Sequence, residues 1–151
     1  MLITTFRRRV VSELRKQKST PRLFAKGRLK ITPKRLDALL HRPTLRLRLV
    51  DMIAENLGVP AAQLLTRGLV VEGVLPPAAD VVRDAVNAAL DAEGLTLAQV
   101  GEALKISKQI LSRDLLDGNP SLERLEQISR VVEVEPWTLV IPPDAEVING
   151  Q

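Results

Sequence analysis

The chain has 151 residues, a net charge of +4 at pH 7 and no cysteine, a length suited to one or two small domains that each bury a modest core. The missing cysteine excludes a disulfide framework, a thiolate nucleophile and a cysteine zinc site. No apolar run reaches the roughly 18 to 20 residues a membrane helix needs, and the start, Met1 to Arg9, puts its charges after a very short apolar run, so no export signal is expected.

In chain order, Val10, Val11 and Leu14 lie at helical spacing in a basic amphipathic stretch that includes Phe6, Arg7, Arg8, Arg9, Arg15, Lys16 and Lys18. We read it as a first helix with its apolar side in the core, in preference to a membrane-surface helix. Thr20-Pro21 and Thr32-Pro33 each pair a capping side chain with proline at the first helical position, which predicts a second helix through Leu23, Phe24 and Leu29 and a third burying Leu36, Leu39 and Leu40. Pro43-Thr44 is expected to open a fourth helix through Leu47, Val50, Ile53, Ala54 and Leu57, ended by Gly58, before a last turn through Leu64 and Leu65. Gly68 to Pro77, with its paired prolines, reads as a boundary; short strands at Leu69 to Val71 and Leu139 to Ile141 are the weaker reading. The order then starts again. Val81, Val82, Ala85, Val86, Ala89 and Leu90 make a helix that stops at Gly94, and Thr96 caps the next through Leu97, Val100, Ala103 and Leu104. Ser107 caps a third through Ile110, Leu111, Leu115 and Leu116, closing at Gly118. After the Asn119-Pro120-Ser121 turn a fourth stripe runs through Leu122, Leu125, Ile128, Val131 and Val132, and Pro136 opens a turn through Trp137 and Leu139.

The doubling is visible in the residues themselves: Leu29-Lys30-Ile31-Thr32 returns as Leu104-Lys105-Ile106-Ser107 seventy-five positions later. The fold expected is all-α, with residues 1–70 as a basic domain, 71–77 as a short Gly/Pro-containing linker and 78–151 as an acidic domain. Residues 1–75 carry 16 Lys and Arg against 5 Asp and Glu, whereas residues 76–151 carry 6 against 13. That split points to a polyanion meeting the first half. Phe6, Phe24 and Trp137 are the only aromatics, too few to stack single-stranded bases, which favours a duplex.

The stretch Leu95 to Ser112, followed by Pro120-Ser121-Leu122 and Val131-Val132-Glu133-Val134, resembles the lambda-repressor-like helix-turn-helix family of the Cro and XRE type. In the first half the resemblance is carried by Phe24-Ala25, Leu29 to Thr32, Arg35 to Leu40, Ile53 to Val59 and Leu64-Leu65. It implies two tandem five-helix domains. The first copy holds one extra residue near Lys26-Gly27-Arg28 and has His41-Arg42 where the family commonly ends its third helix with glycine; the second holds one extra residue around Asp114.

The resemblance further implies a sequence-specific regulator of transcription, expected to repress, that inserts the third helix of a copy into the major groove of double-stranded DNA. Lys34, Asp37 and Ala38, with Pro33 and Arg35 beside them, become the base readers of the first copy, and Lys108, Gln109, Ser112 and Arg113 the matching set of the second. Arg22, Lys26, Lys30, Arg42 and Arg46 become the phosphate contacts. The second copy offers Gln99 and Glu102 there and ends its third helix in Asp114 and Asp117, of the wrong sign for phosphates, so it is assigned to dimerisation within a homodimer. Two alternatives stand: a single-chain pseudo-dimer reading two half-sites, and a protein-interaction module of antitoxin or regulator-inhibitor type. His41, the only histidine, excludes a histidine metal cluster and reads as a phosphate neighbour or surface residue. The carboxylate pairs Asp91 with Glu93 and Glu123 with Glu126 fall on expected exposed faces beside no nucleophile, so neither enzyme chemistry nor a cofactor, metal or small-molecule ligand is expected. The expected location is the cytoplasm, associated with the nucleoid.

Overall fold

The computed structural model describes residues 1–71, 74–145 and 147–149; residues 72 and 73 of the expected linker lie outside them. It is mostly helical. Helix α1 (Leu2–Lys16) is followed by α2 (Pro21–Phe24), which runs directly into a π-helical turn at Ala25–Leu29, then by α3 (Pro33–Leu40), α4 (Leu47–Leu57), a 3₁₀ turn at Ala61–Leu64 and strand β1 (Leu69–Val71). The second half repeats that order as α5 (Ala78–Glu93), α6 (Leu97–Leu104), α7 (Lys108–Leu116), α8 (Leu122–Val131), a 3₁₀ turn at Pro136–Val140 and β2 (Val147–Asn149).

Local chemistry accounts for the helix starts. The hydroxyls of Thr20, Thr32, Thr96, Ser107 and Ser121 each accept a backbone N–H three residues on, satisfying a donor that the helix leaves unpaired. At Thr96 the cap is reciprocal, because Gln99 accepts from the Thr96 N–H. Left-handed backbone recurs in both halves whatever the residue type, at Lys18 and Gly94, at Lys30 and Lys105, and at Gly58 and Glu133. The extra residue near Lys26-Gly27-Arg28 is absorbed by the π turn, the usual way a helix accommodates a single insertion.

Several expectations are corrected. Leu23, Ile110 and Leu116, placed on buried stripes, are 63%, 49% and 66% exposed. Helix α4 starts at Leu47 with Arg46 at its cap, so Pro43-Thr44 belongs to the loop before it. Leu69–Val71 is a strand, paired antiparallel with Val147–Asn149, whereas Leu139 and Val140 lie in the 3₁₀ turn. Burial merges the halves: Phe6, Phe24, Leu36, Leu47, Ile53 and Leu64 of the first and Val86, Leu111, Leu122, Leu125 and Ile128 of the second belong to one contiguous apolar cluster.

The seam between the halves is reciprocal. The Leu47 N–H donates to the Pro120 carbonyl at 2.9 Å and the Leu122 N–H to the Leu45 carbonyl at 2.9 Å, with Arg46 bridging Ser121 between them. Adding seventy-five to Leu45, Arg46 and Leu47 gives Pro120, Ser121 and Leu122, so Arg46 meets its own counterpart while Leu45 and Leu47 each meet the counterpart of the other, as at an isologous dimer interface. The same relation holds at the helix caps. Asp51 on α4 accepts the Ala78 and Ala79 N–H groups at the start of α5, at 2.8 and 2.9 Å. Glu126 on α8, seventy-five positions later, accepts the Leu2 N–H at the start of α1 at 3.0 Å. Glu126 is therefore part of the seam rather than of an exposed face. Each half caps the first helix of the other with a carboxylate, where the helix dipole favours negative charge.

Burial raises the Asp51 pKa above the usual carboxylate value; the Ala79 and Ala78 N–H bonds oppose the shift, Asp80 adds to it and Arg48 opposes it. A raised folded-state pKa means that folding favours the protonated form, so this group's contribution to stability falls as pH rises from 3.8 through the raised value. Asp51→Ala is expected to cost about 1 to 2 kcal/mol at acidic pH, as for loss of a helix cap. Its deficit relative to the parent should shrink as pH rises across that window; urea midpoints at several pH values measure this, and a deficit that widens contradicts it.

Candidate nucleic-acid interface

The first half carries its cations on the α2, π-turn and α3 surface. Phe24 and Ala25 bury one side of the second helix and Leu36, Leu39 and Leu40 one side of the third, which leaves the other sides to solvent. Lys30, in left-handed backbone between the two helices, is exposed. Arg22 and Lys26 on the second helix, Lys34, Arg35, Asp37 and Ala38 on the third, and Arg42 beyond it are also exposed, and Pro33 is half-buried. Among the described residues no carboxylate lies within ion-pairing distance of Arg22, Lys26, Lys30, Lys34, Arg35 or Arg42. This surface therefore holds six cationic side chains, none of them ion-paired among the described residues. Asp37 is the one acid among them, 3.6 Å from His41 Nδ1, whose ring also sits 2.8 Å from the Asp37 carbonyl.

Arg46 departs from its expected place among the phosphate contacts. Its guanidinium donates to the Asn119 carbonyl at 3.0 Å and lies 3.6 Å from Asp114. Arg48 reinforces the contact: its backbone N–H donates to Asn119 Oδ1 at 3.0 Å and its guanidinium to the Asp117 carbonyl. Of the acids at the end of α7, Asp114 thus lies against an arginine of the other half, whereas Asp117 meets Arg48 through its backbone carbonyl and keeps its side chain exposed. Arg48, Asn119, Asp51 and Glu126 were not singled out as seam residues by sequence reasoning, since their partners lie far away along the chain.

Elsewhere basic residues are structural. Arg28 donates to Gln17 Oε1 at 2.9 Å and to the Asn56 carbonyl at 2.8 Å. Arg9 donates to the Gln63 carbonyl and, with Lys16, flanks the buried Glu13, the pairing that a buried carboxylate requires.

In the second half Lys108, Gln109, Ser112 and Arg113 are all exposed on α7, which buries Leu111 and Leu115. Exposed Lys105 and Glu102 stand beside them, while Asp114 is only 22% exposed and faces Arg46. Among the described residues no group of three or more His, Asp or Glu side chains is placed to hold a metal ion, and no helix is long and apolar enough to cross a membrane. Comparison of the chain with protein-family models, with curated proteins and with solved structures finds no match.

Proposed function

We propose that the chain is a sequence-specific regulator that binds double-stranded DNA and acts by occupying its site, built from two tandem helix-turn-helix units. In this reading α3 enters the major groove, where Lys34 donates to guanine, Asp37 accepts from cytosine and Ala38 touches a thymine methyl, with Pro33 and Arg35 beside them. Arg22, Lys26, Lys30 and Arg42 hold phosphates on either side. The observation that carries the reading is the capped helix, left-handed turn and capped helix framed by six exposed cations without carboxylate partners. The reciprocal seam supports a single chain as the binding unit, because the pairing a homodimer would provide is formed within it.

Salt titration of duplex binding tests this. The log of the affinity should fall linearly with log salt, at a slope of about −0.9 per phosphate contacted. Arg22→Ala, Lys26→Ala and Lys30→Ala should each reduce that slope by about 1 and weaken all sequences alike, whereas Lys34→Ala should cost about 1 to 3 kcal/mol on the selected site and relax one base position. These positions are exposed, so circular dichroism should be unchanged. Failure to bind any duplex at low salt ends the proposal.

A further inference from the structure

We infer that one chain takes a non-palindromic duplex site through two successive major-groove windows, α3 lying in one and Lys108, Gln109, Ser112 and Arg113 of α7 in the next. The inference rests on the duplex-binding reading above and adds the nature of the site. Its basis is the local twofold relation at the seam. The bonds at Leu45 and Leu47 involve Pro120 and Leu122, their counterparts seventy-five positions on, and the crossed caps come from Asp51 and Glu126, also seventy-five apart, onto the starts of α5 and α1. Residues related by a twofold axis lie at the same height along it, on opposite sides. Helices α3 and α7 are such counterparts, capped alike by Thr32 and Ser107 after left-handed Lys30 and Lys105. A duplex whose own dyad lies on that axis stands in the same relation to both helices.

The two faces carry different chemistry. Pro33, Lys34, Asp37 and Ala38 correspond to Lys108, Gln109, Ser112 and Arg113, and no position matches. Gln109 is suited to adenine N6 and N7, Arg113 and Lys108 to guanine O6 and N7, and Ser112 to either. Two different readers held in pseudo-symmetric positions select two different half-sites, so the site as a whole has no dyad.

Electrostatics divide the labour. Asp114 faces Arg46 across the seam and is largely withdrawn from the surface, which leaves Lys105, Lys108 and Arg113 exposed against Glu102 and Asp117. That near balance gives the second window little phosphate attraction. The first half anchors the complex and the second discriminates among sequences.

Selection of bound fragments by the full chain, followed by footprinting, tests the arrangement. Two unlike windows about 10 base pairs apart are expected, with one chain per duplex. The uncharged double substitution Gln109→Ala with Ser112→Ala should lower base discrimination in the second window by about tenfold, leaving the first window and the salt slope unchanged. A single window, a palindrome occupied by two chains, or full discrimination retained by the double variant each overturns the inference while duplex binding stands. No binding to any duplex removes the underlying reading instead.

Discussion

Gly118→Ala is expected to destabilise the protein by about 3 kcal/mol or more, the range of substitutions that force backbone apart. Gly118 lies at φ 67 in the loop between α7 and α8, where a side chain already costs roughly 1 to 2 kcal/mol. A Cβ there would also overlap the Ala79 carbonyl oxygen and come within 3.0 Å of its carbon. Ala79 has little room to retreat, because its N–H and that of Ala78 are bound by Asp51 from the other half. Gly58→Ala is the matched control: φ is 73, but nothing lies within 4 Å of the added carbon, so only the backbone term of roughly 1 to 2 kcal/mol applies. Urea unfolding of both variants separates the contributions, and equal losses would mean that the close approach to Ala79 contributes nothing.

What was legible in the chain follows the range of the interactions. Caps act over three residues, so Thr20, Thr32, Thr96, Ser107 and Ser121 can be recognised from type and spacing, and Gly58 and Gly94 mark helix ends for the same local reason. The inserted residue near Gly27 was visible by aligning the halves, although its π form was not, since that depends on how α2 meets the core. Ile110 and Leu116 fitted a helical stripe yet face solvent, because the width of a buried face is set by the neighbours it meets.

The seam was the least legible feature. The bond between Leu2 and Glu126 spans 124 positions, and no local pattern marks either residue. Asp114 and Asp117 illustrate the consequence. Considered on α7 alone they are acids of the wrong sign for phosphate, whereas in the fold the Asp114 carboxylate stands against Arg46 and the Asp117 backbone carbonyl accepts from Arg48. Of the candidate site, the exposed cations of α2 and α3 could be placed from sequence because a helix buries one side and leaves the other; Arg46 could not.

Residues 1–71 expressed alone are expected not to persist as a folded monomer. Without the second half, β1 loses its only partner strand among the described residues, the Leu47 N–H and Leu45 carbonyl lose theirs, and the start of α1 loses Glu126. The α1 and α4 faces that meet α8 and α5 open to water, with the associated loss of apolar burial. Two copies of the first half would re-form the seam only by setting Arg46 against Arg46, and two copies of the second only by crowding Asp114 and Asp117 around one dyad. Each self-pairing is disfavoured by like charge, and the pairing of unlike halves is selected by the same groups. The two halves produced separately and mixed should therefore associate one to one, with recovery of helical signal, in preference to either homodimer. Native mass spectrometry measures the partition, and the Arg46→Asp first half should lose the mixed species most. A folded, monomeric 1–71 fragment would contradict the shared core. The charge contrast between the halves then has a second consequence beside any attraction for DNA: it dictates which surface the chain accepts as its own partner.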